Sequence, residues 1–415
     1  QGKSKQANLN SQKSKRRGIN MKKLIVALLA VSLLAFGSLA SAQESYVGGG
    51  FEAAGHVMTG GGYQHHNNRD NTYFINEGDY RYEVGPIGKY VGTESGTRTD
   101  QFSFFVDEVE LDLMKSFGEN IRLRADLDFG RVASSGYQTQ PFVLEQAYAT
   151  ANIPVGNGIE FLLGRFNTPI GFESVDVIDN YTISQSAMLG LRPTNTTGAK
   201  IYYAFSDLVD LHFYIVNELT QDTDVKVGDV PSLGLRLGFN WGDEGMESTV
   251  GISPFFGPES RFSNKHFTFG GDVDVNWWIT EAFALGLEGL FRRDDAVTNT
   301  KSVTPGSDTE YMAGLLNLHY AFSDVWDGTL KFCFAKQYDT SNLVNINAVA
   351  ANGAFSPYNL TGAEQTMYQI SLAGGYAIAD GAKLKMEGRF DIVNLRGASN
   401  TEYDYGVAMA FGYRF

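Results

Sequence analysis

The chain has 415 residues, with 33 Lys plus Arg against 47 Asp plus Glu and a formal net charge of −14. That balance argues against a nucleic-acid partner, which needs a basic face. A single cysteine, Cys333, excludes an intrachain disulfide.

Residues 1–20 carry six Lys or Arg and precede a start methionine, Met21; they read as an upstream extension outside the mature protein. Residues 21–42 read as a cleaved signal peptide. Lys22 and Lys23 make its positive end, residues 24–36 its apolar core, and Ala40, Ser41 and Ala42 its small-residue cleavage site. The core is short for a membrane-anchoring helix. The first 42 residues hold eight of the basic side chains and no acidic one, so the remainder is more acidic still. That excess is read mainly as solvated loops, and beyond that as a field favouring cations. No later stretch is long and apolar enough for a membrane helix. An exported chain without one can still span a membrane as a closed barrel, because every backbone group in lipid must then be bonded within the sheet.

Period-two alternation, which marks strands with one apolar face, recurs through the rest of the chain. The segments are 47–63, 102–116, 121–130, 142–153, 159–166, 198–205, 209–217, 232–241, 246–256, 266–279, 283–292, 309–322, 328–337, 366–378, 383–393 and 403–415. The connections alternate in length. Short ones fall at 117–120, 154–158, 206–208, 242–245, 280–282, 323–327 and 379–382. Long ones fall at 64–101, 131–141, 167–197, 218–231, 257–265, 293–308, 338–365 and 394–402. Short periplasmic turns and long outer loops are the pattern of outer-membrane barrels. The sequence therefore predicts an all-β fold: a transmembrane antiparallel up-and-down barrel of about 16 strands over residues 43–415. Four residues between Ala42 and the first strand leave no room for a plug domain.

Charge then fixes which face is which. An Arg or Lys pointed at lipid near the midplane costs about 2–4 kcal/mol. Arg122, Arg124, Asp126 and Asp128 must therefore face the lumen, opposite Ile121, Leu123, Leu127 and Phe129. The same reasoning turns in Lys383, Lys385, Glu387, Arg389 and Asp391, as well as Arg236, Asp272 and Asp274. Glu108, Glu110 and Asp112 are expected to meet Arg122 and Arg124 across the turn near Gly118. Strands 142–153 and 159–166 stay open in register, since Glu145 shares its parity with Ala147 and Ala149, and Arg165 with Leu163. Sixteen strands enclose a lumen too wide for side chains to fill, hence a water channel. Aromatics near strand ends, among them Trp241, Trp277, Trp278, Tyr320 and Phe322, fit interfacial girdles.

The last strand alternates Tyr405, Val407, Met409, Phe411, Tyr413 and Phe415 with Gly406, Ala408, Ala410, Gly412 and Arg414. It resembles the terminal recognition strand of bacterial outer-membrane barrels, with Phe411, Tyr413 and Phe415 offered to the barrel-assembly machinery. Residues 163–173 read L-G-R-F-N-T-P-I-G-F-E, followed by Ser184, Gln185 and Ser186 and by a strand led by Gly198. This resembles the OmpL-like β-barrel porins, in which a G-[KR]-F-x-[TS]-P-x-G-[YF]-E element ends a strand. The resemblance implies an outer-membrane channel and supplies no catalytic residues and no cofactor. In general porins the third long loop folds into the lumen; here that loop is 167–197, with Asn167, Pro169, Gly171, Phe172, Glu173, Tyr181, Ser184 and Ser186 as constriction candidates.

The expected protein is a porin in the outer membrane of a Gram-negative bacterium. It sits in outer-membrane lipid and passes small hydrophilic solutes or ions by diffusion, with a mild cation preference and no metal or enzymatic centre. Many sixteen-stranded porins are trimers, and the sequence leaves a homotrimer and a lone barrel both open. Two other roles compete. One is a surface barrel whose loops 64–101 and 338–365 bind a partner; the other is an outer-membrane hydrolase, for which no G-x-S-x-G elbow is present. His65, His66 and Asp70 lack the spacing of a metal motif.

Overall fold

The computed structural model describes residues 46–47, 51–66, 100–130, 143–219, 230–260, 263–295, 308–339, 365–395 and 402–415. The upstream extension, the signal segment and most of the long loops other than 167–197 lie outside them. The strands are β1 (Tyr46–Val47), β2 (Phe51–His66), β3 (Asp100–Phe117), β4 (Ile121–Gly130), β5 (Val143–Ile153), β6 (Ile159–Asn167), β7 (Asn195–Ala204), β8 (Val209–Val216), β9 (Ser232–Trp241), β10 (Ser248–Ser260), β11 (Ser263–Thr280), β12 (Phe283–Asp294), β13 (Thr309–Ala321), β14 (Trp326–Asp339), β15 (Gln365–Ala379), β16 (Ala382–Leu395) and β17 (Glu402–Arg414).

Each strand from β2 to β17 pairs antiparallel with its sequence neighbours, and β17 returns to β2, from Asp404 opposite His66 to Arg414 opposite His56. The terminal Phe415 continues that seam, exchanging backbone hydrogen bonds of 2.9 and 3.0 Å with Gly55. The result is a closed antiparallel barrel of sixteen strands, β2 to β17, with β1 a two-residue bridge onto the start of β2. Among the described residues closure leaves no strand of the barrel without two neighbours, which is what lipid demands. All sixteen predicted strands are present. One predicted connection is not: 257–265 was expected as a long loop, but β10 and β11 stay paired through Gly257 opposite Thr268 and Pro258 opposite Phe267, so only 261–262 join them.

The two faces of the wall sort by charge. On β16 Met386 and Phe390 are exposed on the outer wall, whereas Lys385, Glu387, Arg389 and Asp391 are at most 4% exposed inside. On β11 Val273 and Trp277 face out and Asp272 and Asp274 face in. Phe411 and Phe415 lie exposed on the outer surface at the end of β17. Beside the short turns Trp326 packs on Tyr376 with ring centroids 4.5 Å apart, and Tyr320 on Phe322 at 5.2 Å. Trp278 departs from the expected girdle: its neighbour Trp277 faces out, and Trp278 packs edge-on to the buried His319.

The two open registers each have a local cause. Across β4 and β5 the ladder slips by one residue, with Asp126 opposite Gln146 and Leu127 opposite Leu144. Glu145 is the extra residue, and this bulge buries it inside although its parity partners are the outward alanines. On β6, Gly164 takes φ +140. Leu163 before it is 58% exposed outside, while Arg165 and Phe166 after it are both buried. A second slip, at Asp107 between β2 and β3, likewise turns Asp107 and Glu108 both inward.

Candidate functional site: the infolded segment and the inner wall

Residues 168–194 leave β6 and return to β7 through a closed neck. The Thr168 N–H donates to Thr194 O at 2.6 Å, and the Thr168 hydroxyl to Pro193 O at 2.7 Å. Gly171, at φ +86, makes the bend that follows Pro169 and Ile170. An added Cβ there would run into the Arg192 guanidinium. Beyond the neck the segment lies against the inner wall of distant strands, and inward side chains bind its backbone.

On β12, Glu288 accepts the Phe172 N–H at 2.8 Å and pairs with Arg192 at 2.9 Å. On β14, Lys331 sits 2.8 Å from Glu173 and donates to the Thr182 hydroxyl at 2.8 Å and to Ser184 O at 2.5 Å. On β16, Glu387 accepts the N–H groups of Ile183 and Ser184, each at 2.7 Å, and the Ser184 hydroxyl at 2.5 Å. Lys385 donates to the carbonyls of Val177, Ile178 and Asn180, and Arg389 to Gln185 O at 3.0 Å. Gln369 on β15 accepts the Ala187 N–H at 2.7 Å, and Glu108 on β3 accepts the Val177 N–H at 2.9 Å. Arg414 pairs with Asp179, and Tyr181 stacks on His319 with centroids 3.8 Å apart.

Apolar packing adds to this. The short helix α1 (Ala187–Leu191) buries Ala187, Met188 and Leu191 against Leu290, Leu315, Cys333, Ala335 and Met367 of the inner wall. Val177 and Ile183 pack against Met58, Ala408 and Ala410. A side chain the size of Leu or Met contributes about 1.5–3 kcal/mol on full burial. The Lys and Glu anchors are nearly fully buried, so losing one partner would strand a charge.

Titration in the segment runs in two directions. Burial alone would raise the Glu173 carboxyl, but the Lys331 ammonium and the Ser186 hydrogen bonds outweigh it and hold the group below the ordinary glutamate value. Asp176 goes the other way: burial, then the charges of Glu145 and Glu108, push it well above the aspartate range. Burial also pushes the Tyr181 hydroxyl up to about 12. A depressed carboxyl adds stability that is complete above its unfolded value and fades as pH falls toward its folded one. In an Asp176→Asn background, which removes the opposing titration, docking should hold from neutral pH down to the ordinary glutamate value of 4.5 and weaken below it. Amide exchange of residues 183–187 across that range measures the slope; weakening above 4.5 would contradict it.

The remaining acidic wall is divided differently from the sequence expectation. Arg124 bonds Asp126 at 2.7 Å and reaches Asp112 at 3.3 Å, but it does not meet Glu108 or Glu110. The register sets Glu110 opposite Asp128 and Asp112 opposite Asp126, acid beside acid, and sets Arg122 opposite Ser116. Arg122 lies exposed at the turn end of β4. Glu108 is taken instead by His56 at 2.7 Å. On the other side Arg236 grips Asp274 at 2.5 and 3.0 Å, Lys383 meets Asp327 at 2.6 Å and Arg389 meets Asp391 at 2.7 Å. Asp272 is buried beside them. Asn167 donates to Glu145 at 2.6 Å.

The family described as putative beta-barrel porin-2, OmpL-like, matches residues 50–415. The chain belongs to that family. Solved structures of similar fold agree with its barrel. The outer-membrane channel DcaP of Acinetobacter baumannii aligns at TM-score 0.56 and 11% identity, over 90% of this chain and all of that one. An anion-selective porin from Comamonas acidovorans aligns at 0.52 and 12% identity, over 88% and 99%. OmpF of Salmonella typhi aligns at 0.51 and 11%, over 90% and 100%. No curated protein matches the sequence. This OmpL-like porin is thus an outer-membrane channel protein of sixteen strands.

Several anchors of the porin escape a motif search. Lys331 and Glu288 are single charges in otherwise apolar strands, Thr329–Cys333 and Phe283–Phe291 by position. A lone charge in such a strand has to face inward, so the signal existed. Nothing local in the sequence announces that each would bind a segment more than a hundred residues away.

Proposed function

We propose that this porin passes small hydrophilic solutes and ions by passive diffusion, with residues 168–194 narrowing the lumen. The observation that carries the reading is the set of hydrogen bonds from that segment to inward side chains on β3, β12, β14, β15 and β16. A segment held across the interior from one side of the barrel to the other reduces the free cross-section, and its charged neighbours filter by size and charge. Lumenal Arg236 with Asp274, Asp126 with Arg124, and Lys383 with Asp327 supply fixed charge of both signs beside it. The acidic excess of the chain favours cations mildly.

Deleting residues 175–190 tests the reading. Single-channel conductance in a planar bilayer should rise while the barrel stays heat-modifiable on a gel; an unchanged conductance from a folded barrel would sink it. Reversal potentials in a salt gradient should show a small cation preference, and anion selectivity would refute that part. Residues 21–42 act as the export signal in this reading, so the protein recovered from outer membranes should begin at Gln43. The strand ending in Phe411, Tyr413 and Phe415 is the segment offered to the assembly machinery.

A further inference from the structure

We propose that Glu110, Glu145 and Asp176 form a calcium site that joins the infolded segment to the barrel wall. One carboxylate oxygen from each lies within 4.8 Å of the other two. That spread suits an ion whose oxygen ligands stand at about 2.4 Å, the calcium distance. The three come from separate elements: Glu110 from β3, Glu145 from the bulge on β5, and Asp176 from the infolded segment. An all-oxygen donor set selects a hard cation over zinc or copper.

The surrounding acids narrow the choice to these three. Glu108 is satisfied by His56 and by the Val177 N–H. Asp112 and Asp126 share Arg124, and Asp126 also accepts from Gln146 at 2.6 Å. Glu110 is different: it is 3% exposed, and its Oε2 has no hydrogen-bond partner. Asp176 Oδ1, across the same gap, has none either. Buried charges are paired or coordinate metals; the three carboxylates converge here, two of them with an oxygen that has no hydrogen-bond partner, and among the described residues no cationic side chain is ion-paired to them. Glu145 is already oriented for such a role by the Asn167 amide at 2.6 Å, the kind of outer bond that fixes a metal-ligating carboxylate. The bulge has a purpose in this account: without the slip at Asp126, Glu145 would share the outward face of Ala147.

The site stands whether or not the barrel conducts, and it is tested by binding alone. The full-length barrel, purified in detergent and stripped with a chelator, is titrated with calcium chloride by calorimetry. One saturable site per chain is expected. Asp176→Asn and Glu110→Gln should each weaken it by at least about tenfold, the scale seen when metal sites lose a supporting group. Asp243→Asn, in the short turn after β9, should leave it unchanged. No saturable binding by the wild type, or undiminished binding by Asp176→Asn, would overturn the proposal. Should Glu110→Gln fail to fold, Asp176→Asn decides it, because that residue lies outside the strands.

Discussion

Lys331→Met will release the infolded segment from the inner wall. The ammonium of Lys331 is buried and serves three acceptors at once: Glu173 at 2.8 Å, the Thr182 hydroxyl at 2.8 Å and Ser184 O at 2.5 Å. Methionine keeps the length of the stem and removes every donor. Glu173 is then left as a buried charge whose remaining partners, the Ser186 N–H at 3.0 Å and the Ser186 hydroxyl, are neutral. Breaking one side of such a pair costs about 3–5 kcal/mol, or at least a hundredfold in the docked-to-released ratio. The segment keeps its anchors on Glu387, Lys385 and α1, so the barrel itself should stay folded. The amides of Ile183, Ser184 and Ala187, each bonded to a wall side chain, report the release as faster hydrogen exchange. Adding Glu173→Gln should recover part of the loss, because it removes the stranded charge and keeps an acceptor for Ser186. If exchange at those three amides is as slow in Lys331→Met as in the wild type, Lys331 does not hold the segment.

The barrel was legible in the sequence because its cause is local. Alternation along a strand and the cost of a cation in lipid are both read from a few adjacent residues, so Lys385, Glu387 and Arg389 declare their face without any partner being known. The infolded segment was legible only as a position, the third long loop after the L-G-R-F-N-T-P-I-G-F-E element. Its docking partners were not, because they depend on which strands stand opposite across the lumen. The inner wall that receives α1 is made of Leu290, Leu315, Cys333, Ala335 and Met367. These residues make stretches of β12 to β15 apolar on both faces, which looks like weak alternation rather than a binding surface. The registers of β5 and β6 failed to resolve for a sharper reason: each contains one residue that breaks period two, Glu145 by a bulge and Gly164 by its backbone angle. Once such a break exists, parity on one side of it says nothing about the other.

Gly164→Ala should block assembly of the β5–β6 wall. Gly164 sits at φ +140, where a residue with a Cβ is strained by about 1–3 kcal/mol. The added methyl would also stand 2.2 Å from Ala147 O and 2.7 Å from Tyr148 Cα. Both contacts are backbone of the paired strand, so no side chain can rotate away, and overpacking adds about 1–3 kcal/mol. The chain could escape by returning to regular extended geometry, but the alternation would then carry Arg165 to the outer face with Leu163. An arginine facing lipid costs about 2–4 kcal/mol near the midplane. The same change next to Phe166 would also disturb the neck that Thr168 and Thr194 close. Neither route is cheap, so the folded, heat-modifiable fraction of Gly164→Ala after refolding into detergent should fall by about tenfold or more. Gly289→Ala on β12 is the matched control: a Cβ there meets nothing within 4 Å, and its folded fraction should equal that of the wild type. A Gly164→Ala barrel that refolds as fully as the control would mean that the β6 backbone can relax without turning Arg165 over, and the break in period two would then need another origin.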